Sequence, residues 1–263
     1  MNNVKKQISK YTGHDHVALL TRGNAAILEA LKISMKISGK KTVLIPDQGG
    51  WLTYSKYPKK LGLDIVELKT DNGLFYLNSI KENSGSACCL LYENPAGYFA
   101  EQDIKTIYDN CKCTVICDVS GCIGDKELCD GRYADIMIGS FGRWKPINVE
   151  YGGFISVKEK YKRFLPEDDF DAIHYSELMK KLDGVGKRLE FFYATAEKVK
   201  KELNDYDIVH RDKKGINVIV KYKDDIEKQE IISYCESNKY EFTRCPRYIR
   251  ITDEGVSIEI KRL

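Results

Sequence analysis

The sequence predicts an α/β fold with a large N-terminal domain, built on a mainly parallel sheet, and a small C-terminal α+β domain. Short apolar runs alternate with amphipathic segments of helical periodicity as far as about residue 157. Strands joined by crossover helices produce this alternation. Long charged segments follow, and then shorter strand-like runs. We therefore predict a large domain at 1–165, with a connecting helix and the small domain at 166–263.

Five apolar runs of the large domain predict strands, at 17–20, 42–46, 64–68, 87–92 and 114–118. Between the first two, Ile27, Leu28, Leu31 and Ile33 recur at helical spacing and predict a helix over 25–34. A second helix is predicted over 101–111. In the small domain we predict helices at 175–203 and 225–238. Strands are expected there at 215–220, 248–251 and 257–260, with a turn at 253–255 joining the last two.

The composition is that of an ordinary globular protein, with 43% hydrophobic and 31% charged residues. A net charge of +3 from 42 basic and 39 acidic residues does not indicate nucleic-acid binding. No apolar run has the length of a membrane span, and the N-terminal segment lacks the apolar core of a signal peptide. These features predict a cytoplasmic protein that contacts neither nucleic acid nor membrane.

The nine cysteines are an odd number, and several of them lie in apolar runs. This placement predicts buried free thiols, because unpaired cysteine packs as a small hydrophobic residue. Cys111, Cys113 and Cys117 form a closely spaced set that suggests a metal cluster. That signal is weak, because the set contains no paired Cys-x-x-Cys spacing.

A carboxylate and a lysine follow the ends of successive predicted strands. Asp118 ends the run 114–118, and Lys145 comes soon after the apolar run that begins at Ile136. Ligands of open α/β sheets bind at the carboxyl ends of the strands. Lysine forms an imine with the aldehyde of pyridoxal 5′-phosphate (PLP), and an acid holds the pyridine nitrogen protonated. The pair therefore predicts a PLP site with Lys145 and Asp118 as catalytic residues. The alternative for Asp118 is a cap of the following turn.

A phosphate site is predicted where the first strand leads into the first helix, at Gly23, Asn24 and Ala25. A helix N-terminus offers free N–H groups and a positive dipole end, and Gly23 permits close backbone approach. The alternative is an ordinary turn with Asn24 as N-cap. Ser140 is a second phosphate candidate through its hydroxyl. Trp51 follows another strand end, where its ring either stacks on the cofactor or packs in the turn.

The segment Ser140-Phe-x-x-x-Lys145, followed by Gly152-Gly153, resembles the DegT/DnrJ/EryC1/StrS sugar aminotransferase family of fold-type I PLP enzymes. The resemblance implies a three-layer, aspartate aminotransferase-like large domain. It also implies a homodimer, because this fold completes its cofactor sites at the subunit interface. In this chain Gly142 stands where the family commonly has a histidine.

The same resemblance suggests three further contacts. Ser120 is in position to contact the ring hydroxyl, since the stretch from Asp118 is similar to the Asp-x-x-Gln/His stretch of PLP enzymes. Asn94 lies in an Asn-Pro-x-Gly turn like one in the wider group, and it either approaches the ring or belongs to a plain turn. Arg250 is the candidate for binding a substrate carboxylate, with Arg247 as competitor.

Three functions remain open at this point. The first is an aminotransferase that moves an amino group from an amino-acid donor to a keto or aldehyde acceptor, such as a sugar, through Lys145. The second is a PLP lyase or cysteine desulfurase, for which Cys122 and Cys129 are the nearest candidate thiols. The third is a degenerate PLP-fold protein with a binding or regulatory role. A dinucleotide-binding Rossmann domain is disfavoured, because no Gly-x-Gly-x-x-Gly follows any strand.

Overall fold

A computed structural model describes residues 2–263, and a seven-stranded sheet forms the centre of the N-terminal part of the chain. Its strands are β1 His16–Leu20, β2 Thr42–Pro46, β3 Asp64–Leu68, β6 Cys89–Glu93, β7 Thr114–Asp118, β8 Ile136–Ser140 and β9 Gly153–Val157. A two-stranded hairpin between β3 and β6 comprises β4 Thr70–Asp71 and β5 Leu74–Phe75. The order across the large sheet is β1-β9-β8-β7-β6-β2-β3. Only β9 runs antiparallel to its neighbours, so the predicted mainly parallel sheet is confirmed.

Helices cover both faces of this sheet and give it three layers. They are α1 Asn2–Thr12, α2 Gly23–Ser38, α3 Tyr57–Lys60, α4 Leu77–Asn83, α5 Ile104–Asn110 and α6 Tyr175–Glu202. Strand side chains alternate between two hydrophobic cores: Leu44 and Leu90 join one core, whereas Val43 and Leu91 join the other. Helix α2 packs on β8 and β9, and α6 packs on α1. This arrangement leaves the carboxyl ends of the parallel strands at one edge of the sheet.

The C-terminal part carries a four-stranded antiparallel sheet in the order β10-β11-β13-β12. Its elements are β10 Asp207–Ile208, β11 Val218–Lys221, α7 Asp225–Ser237, β12 Phe242–Cys245 and β13 Gly255–Ile258. Short 3-10 helices cover Gly131–Tyr133, Glu159–Phe164, Ala172–His174 and Ile260–Arg262. The predicted helices at 175–203 and 225–238 are confirmed to within one residue at each end.

Two predicted elements need correction. The segment 248–251 is a tight turn rather than a strand, because Arg250 N donates to Arg247 O at 2.8 Å and Arg247 N donates to Ile251 O at 2.8 Å. Strand β13 lies between β11 and β12, and β12 ends before Pro246. Helix α5 begins at Ile104 rather than at residue 101, because Asp103 caps it by accepting from Thr106 N.

All nine cysteines are free, and seven of them are buried, so the prediction of buried free thiols is confirmed. Within residues 2–263, no three or more His, Cys, Asp or Glu side chains are arranged to hold a metal ion. Cys111, Cys113 and Cys117, which gave only a weak signal in the sequence, are not arranged in this way. No helix in this described part of the chain has the length and apolar character needed to cross a membrane.

Candidate active site

A cavity of about 330 Å³ opens where β1, β7 and β8 end and α2 begins. Seven residues predicted from the sequence line it: Gly23, Asn24, Trp51, Asp118, Ser120, Ser140 and Lys145. They come from four separate segments of the chain. The carboxyl edge of the sheet therefore collects the predicted site residues in one place, as expected for an open α/β sheet.

Lys145 places a buried amine on the cavity wall, with 7% of the residue exposed. Its Nζ donates to the hydroxyl of Tyr98 and lies 4.7 Å from the centroid of the Trp51 ring. Burial lowers the pKa of Lys145, and the nearby carboxylates of Glu93 and Asp118 only partly oppose this effect. The lowered pKa favours the neutral amine, which is the nucleophilic form.

Asp118 is held by two hydrogen bonds at the end of β7. Its Oδ2 accepts from the Tyr54 hydroxyl at 2.9 Å, and its Oδ1 accepts from Ser120 N at 3.0 Å. Burial, followed by the charge of Asp118, raises the pKa of Tyr54 well above its usual value, so the phenol remains a donor. The Ser120 hydroxyl in turn accepts from Ser140 N at 2.8 Å and links the ends of β7 and β8. These bonds fix the orientation of the Asp118 carboxylate.

The start of α2 approaches the end of β8 so closely that only glycine fits. A Cβ on Gly23 would lie 2.4 Å from the Cβ of Ser140. Arg22 precedes the helix in extended conformation and lines the same cavity. The Arg22 guanidinium has no ion-pair or hydrogen-bond partner within residues 2–263. The helix N-terminus, the Ser140 hydroxyl and this guanidinium together make one end of the cavity suitable for an anion.

Asn24 serves a different purpose from the N-cap considered above. The cap position of α2 is Arg22, without a side-chain capping bond. The Oδ1 of Asn24 accepts from Trp51 Nε1 at 3.1 Å and from Thr53 Oγ1 at 3.3 Å. The N-cap alternative is therefore wrong. Asn24 instead holds the Trp51 ring at the cavity wall.

Backbone strain also concentrates around the cavity. Tyr98, Trp144 and Glu150 have φ values of 69°, 63° and 62°, a region that residues other than glycine rarely adopt. Tyr98 and Glu150 line the cavity, and Trp144 directly precedes Lys145. Such conformations persist only where surrounding contacts enforce them, and they are frequent at functional sites.

Glu93 is a buried carboxylate close to the site, and it was not predicted from the sequence. It ends β6 in register with Asp118 on β7 and is 1% exposed. Neither carboxylate oxygen has a hydrogen-bond partner within residues 2–263. Burial, followed by the charge of Asp118, raises the pKa of Glu93 to about 7. Glu93 is therefore protonated in a substantial fraction of molecules at neutral pH.

Three predicted site residues do not line the cavity. Ala25 N donates to Arg22 O at 3.1 Å within the first helical turn. Asn94 belongs to a structural turn, because its Nδ2 donates to Leu128 O at 2.8 Å and its Oδ1 accepts from Gln102 N at 3.0 Å. These hydrogen bonds correct both predictions, since the groups expected to face a cofactor bind the protein itself.

Arg250 is the third residue to be corrected. It is 2% exposed, and its Nη2 lies 2.7 Å from a carboxylate oxygen of Glu259. Its Nε and Nη2 donate to the other oxygen at 3.0 Å and 2.9 Å, and its Nη1 donates to Ile249 O. The bidentate partner expected from a substrate is thus Glu259 of the same chain. The competitor Arg247 is exposed and does not line the cavity.

Sequence reasoning missed Tyr98, Tyr54 and Arg22, all of which contact or line the site. Only Arg22 had a usable signal, since it directly precedes the predicted phosphate segment. Tyr54 lies 64 positions from Asp118, and Tyr98 lies 47 positions from Lys145. Their participation depends on tertiary contacts.

Comparison with solved structures identifies the fold. A protein from Streptococcus pneumoniae that is described as a sugar aminotransferase was solved in its PLP form. It matches with a TM-score of 0.75 at 12% identity, over 98% of this chain and 85% of that one. A NifS-like protein matches with a TM-score of 0.73 at 11% identity, over 97% and 80%. A 3-amino-5-hydroxybenzoic acid synthase matches with a TM-score of 0.72 at 14% identity, over 99% and 85%. The fold is that of fold-type I PLP-dependent enzymes. The predicted fold class is confirmed.

Comparison of sequences identifies similarity for only part of the chain. The profile of the MJ1341 family C-terminal domain matches residues 187–263. No curated protein matches the sequence. The matched segment begins inside α6 and contains the whole C-terminal sheet. Solved structures that match this fold include aminotransferases, a cysteine desulfurase and a protein described as an L-allo-threonine aldolase. The fold by itself therefore does not identify one reaction.

Proposed function

We propose that this protein binds PLP covalently through Lys145 and acts as an aminotransferase. The observation that carries the proposal is the buried Lys145 amine, which shares a cavity with the fixed carboxylate of Asp118. Burial lowers the pKa of Lys145, as a lysine that forms a Schiff base requires. The proposed donor is an amino acid such as glutamate. The proposed acceptor is a keto or aldehyde compound, including a sugar.

The residues of the cavity fit the proposed cofactor. The contact of Gly23 with Ser140 brings a helix N-terminus to one end, and Arg22 adds a guanidinium without a partner in the described chain. These groups suit a phosphate dianion. Asp118 suits the protonated pyridine nitrogen, and Trp51 provides an aromatic face. The volume of about 330 Å³ lies in the usual range for small-molecule sites.

When bound, PLP acts as an electron sink for bonds at the α-carbon of an amino acid. Lys145 would supply the amine that attaches the cofactor and, as the free amine, would accept and return a proton at its Nζ. The Tyr98 hydroxyl, which contacts Nζ, would orient this amine. Asp118 would keep a ring nitrogen protonated, and Tyr54 holds Asp118 in place for that role.

The desulfurase alternative finds little support in the candidate thiols. Cys122 and Cys129 are both buried and do not line the cavity. The Cys122 thiol donates to Asn94 O at 3.0 Å, and burial raises the pKa of Cys129 to about 12. A desulfurase requires a mobile, reactive thiol near the cofactor. Neither cysteine meets that requirement.

A homodimer is part of the proposal, because the fold-type I resemblance implies cofactor sites completed at a subunit interface. Leu52 supports it: this residue directly follows Trp51 and is 45% exposed, so an apolar side chain lies beside the cavity. Sedimentation equilibrium of the purified protein tests the dimer. A Leu52→Glu variant is expected to weaken association.

The decisive experiment is an absorbance spectrum of the purified protein with PLP. The parent protein is expected to show a Schiff-base band that Lys145→Ala lacks. Lys200→Ala is the matched control, because Lys200 is also buried but lies on α6 away from the cavity. The control variant should retain the band. A band that persists in a folded Lys145→Ala variant would refute the attachment site.

Addition of glutamate then distinguishes the reactions. Transamination is expected to remove the band and to produce absorbance of the pyridoxamine form. Release of ammonia or sulfide from an amino acid without an acceptor would instead indicate a lyase. A band that no amino acid alters would indicate a degenerate protein with a binding role. The buried Arg250–Glu259 ion pair favours this alternative, because it occupies the arginine that was expected to bind a substrate carboxylate.

A further inference from the structure

A second cavity, of about 350 Å³, lies at the opposite edge of the sheet from the candidate active site. It forms where β6 and β7 begin rather than where they end. Cys89 on β6 is in register with Thr114 on β7, so the preceding residues Cys88 and Cys113 lie beside each other. Cys111 joins them, and all three cysteines line the cavity. None of these thiols has a role in the proposed reaction.

Cys111 and Cys113 form a close dithiol pair. Their sulfur atoms are 3.4 Å apart, and the Cys111 thiol also lies 3.7 Å from Cys113 O. Both residues are partly exposed, whereas the other seven cysteines are buried. These two sulfur atoms are therefore in contact with each other and accessible from the cavity. Formation of a disulfide would bring the two sulfur atoms from 3.4 Å to about 2.05 Å.

The lysines around the cavity favour an anionic reactant. Lys40, Lys112 and Lys160 line it, and Lys160 forms an ion pair with Asp135 at 3.0 Å. The contact between the two thiols lowers the pKa of Cys111 and raises the pKa of Cys113, whereas the charge of Asp135 opposes the lowering at Cys111. A lowered pKa in electropositive, partly exposed surroundings is characteristic of reactive cysteines.

We propose that Cys111 and Cys113 form a thiol–disulfide exchange site for small anionic disulfides. The Cys111 thiolate attacks one sulfur of the disulfide, so that a mixed disulfide forms and one thiolate leaves. The Cys113 sulfur, having lost its proton to solvent, then attacks Cys111 Sγ and displaces the second thiolate. The dithiol loses two electrons and two protons, and the small disulfide is reduced to two thiols.

The pair is suited to the second step as well as the first. The contact with the Cys111 thiol, burial and the charge of Cys111 raise the pKa of Cys113. A mixed disulfide at Cys111 carries neither a thiol proton nor a thiolate charge, so of these causes only burial still opposes ionisation of Cys113. The Cys113 thiol then ionises more readily, at the stage where it must attack. A metal site is disfavoured in this cavity, because no set of three or more ligands in residues 2–263 is arranged to hold an ion.

The test uses the full chain in reduced form without added cofactor, so it does not depend on the proposed PLP chemistry. Oxidised glutathione is the probe, and free thiols are counted by alkylation and mass spectrometry. The parent protein is expected to lose two thiols, at Cys111 and Cys113, without retaining glutathione. Cys113→Ser is expected to retain one glutathione on Cys111. Cys111→Ser is expected to react at least about tenfold more slowly.

Cys235→Ser is the matched control, because it removes a buried thiol on α7 and should leave the loss of two thiols unchanged. Circular dichroism verifies that each variant is folded. The proposal is overturned if Cys111→Ser reacts at the parent rate, or if Cys113→Ser gains no glutathione. A disulfide between Cys88 and Cys111 in the parent would reject Cys113 as the second thiol. If a variant fails to fold, alkylation of the parent decides: Cys111 must react first.

Discussion

The effect of replacing Glu93 by Gln on stability should become more favourable as the pH rises. Glu93 is 1% exposed and neither of its oxygens has a hydrogen-bond partner in the described chain. Burial, followed by the charge of Asp118, raises its pKa from 4.5 to about 7 in the folded protein. Ionised Glu93 therefore destabilises the fold more than protonated Glu93 does.

The sign and size of the effect follow from this difference. Below about pH 4.5 the carboxyl is mainly protonated in both the folded and the unfolded state, so its ionisation does not change the free energy of unfolding. Above about pH 7 it is ionised in both, and the folded state is destabilised by about 3 kcal/mol, because one pKa unit corresponds to about 1.4 kcal/mol. Stability is lost as the pH rises between these values. The neutral glutamine of Glu93→Gln does not titrate and avoids this loss.

Urea unfolding of parent and variant at a series of pH values measures the difference directly. We expect the advantage of Glu93→Gln to be larger by about 3 kcal/mol at pH 8 than at pH 4.5. Glu254→Gln is the control, because it makes the same chemical change at an exposed position. A difference for Glu93→Gln that is constant, or that falls as the pH rises, would refute the reasoning.

Three other changes give expected outcomes. Glu259→Gln leaves the guanidinium of Arg250 buried without its charge partner. It should lower the free energy of unfolding by about 3–5 kcal/mol at pH 7, as measured with urea. A loss below about 1 kcal/mol would contradict this. Gly23→Ala places a Cβ 2.4 Å from that of Ser140 and should weaken PLP binding at least about tenfold in a fluorescence titration, and unchanged affinity would argue against a phosphate at this helix start. Leu182→Ala creates a cavity beneath α6 and should lower the free energy of unfolding by about 2–5 kcal/mol, whereas a neutral result would mean that α6 packs loosely.

The strands predicted at 17–20, 42–46, 64–68, 87–92 and 114–118 are present, because each is a short apolar run bounded by turn residues. Asp118 and Lys145 were found for the same reason: they follow strand ends, and the ends of parallel strands meet at one edge of a sheet. The error at 248–251 has a local cause that sequence patterns hide. An apolar alternation there resembles a strand, but the backbone folds back between Arg247 and Ile251.

The limits of sequence reasoning are clearest for the two arginines. Arg250 looked like a ligand for a substrate carboxylate, and Arg22 was not chosen, yet Arg22 lines the cavity and Arg250 is paired with Glu259. An arginine is free or paired according to which side chains other strands bring beside it. Neighbouring residues along the chain do not carry that information.

The amino-acid order thus settles the α/β class, the strand that ends in Asp118 and the position of Lys145 after the next strand, because hydrophobic periodicity and turn chemistry act over a few residues. Folding decides the protonation of Lys145 and Glu93 and the contact between Cys111 and Cys113. These properties depend on burial and on charges from distant segments, since desolvation and Coulomb interactions act through space rather than along the chain.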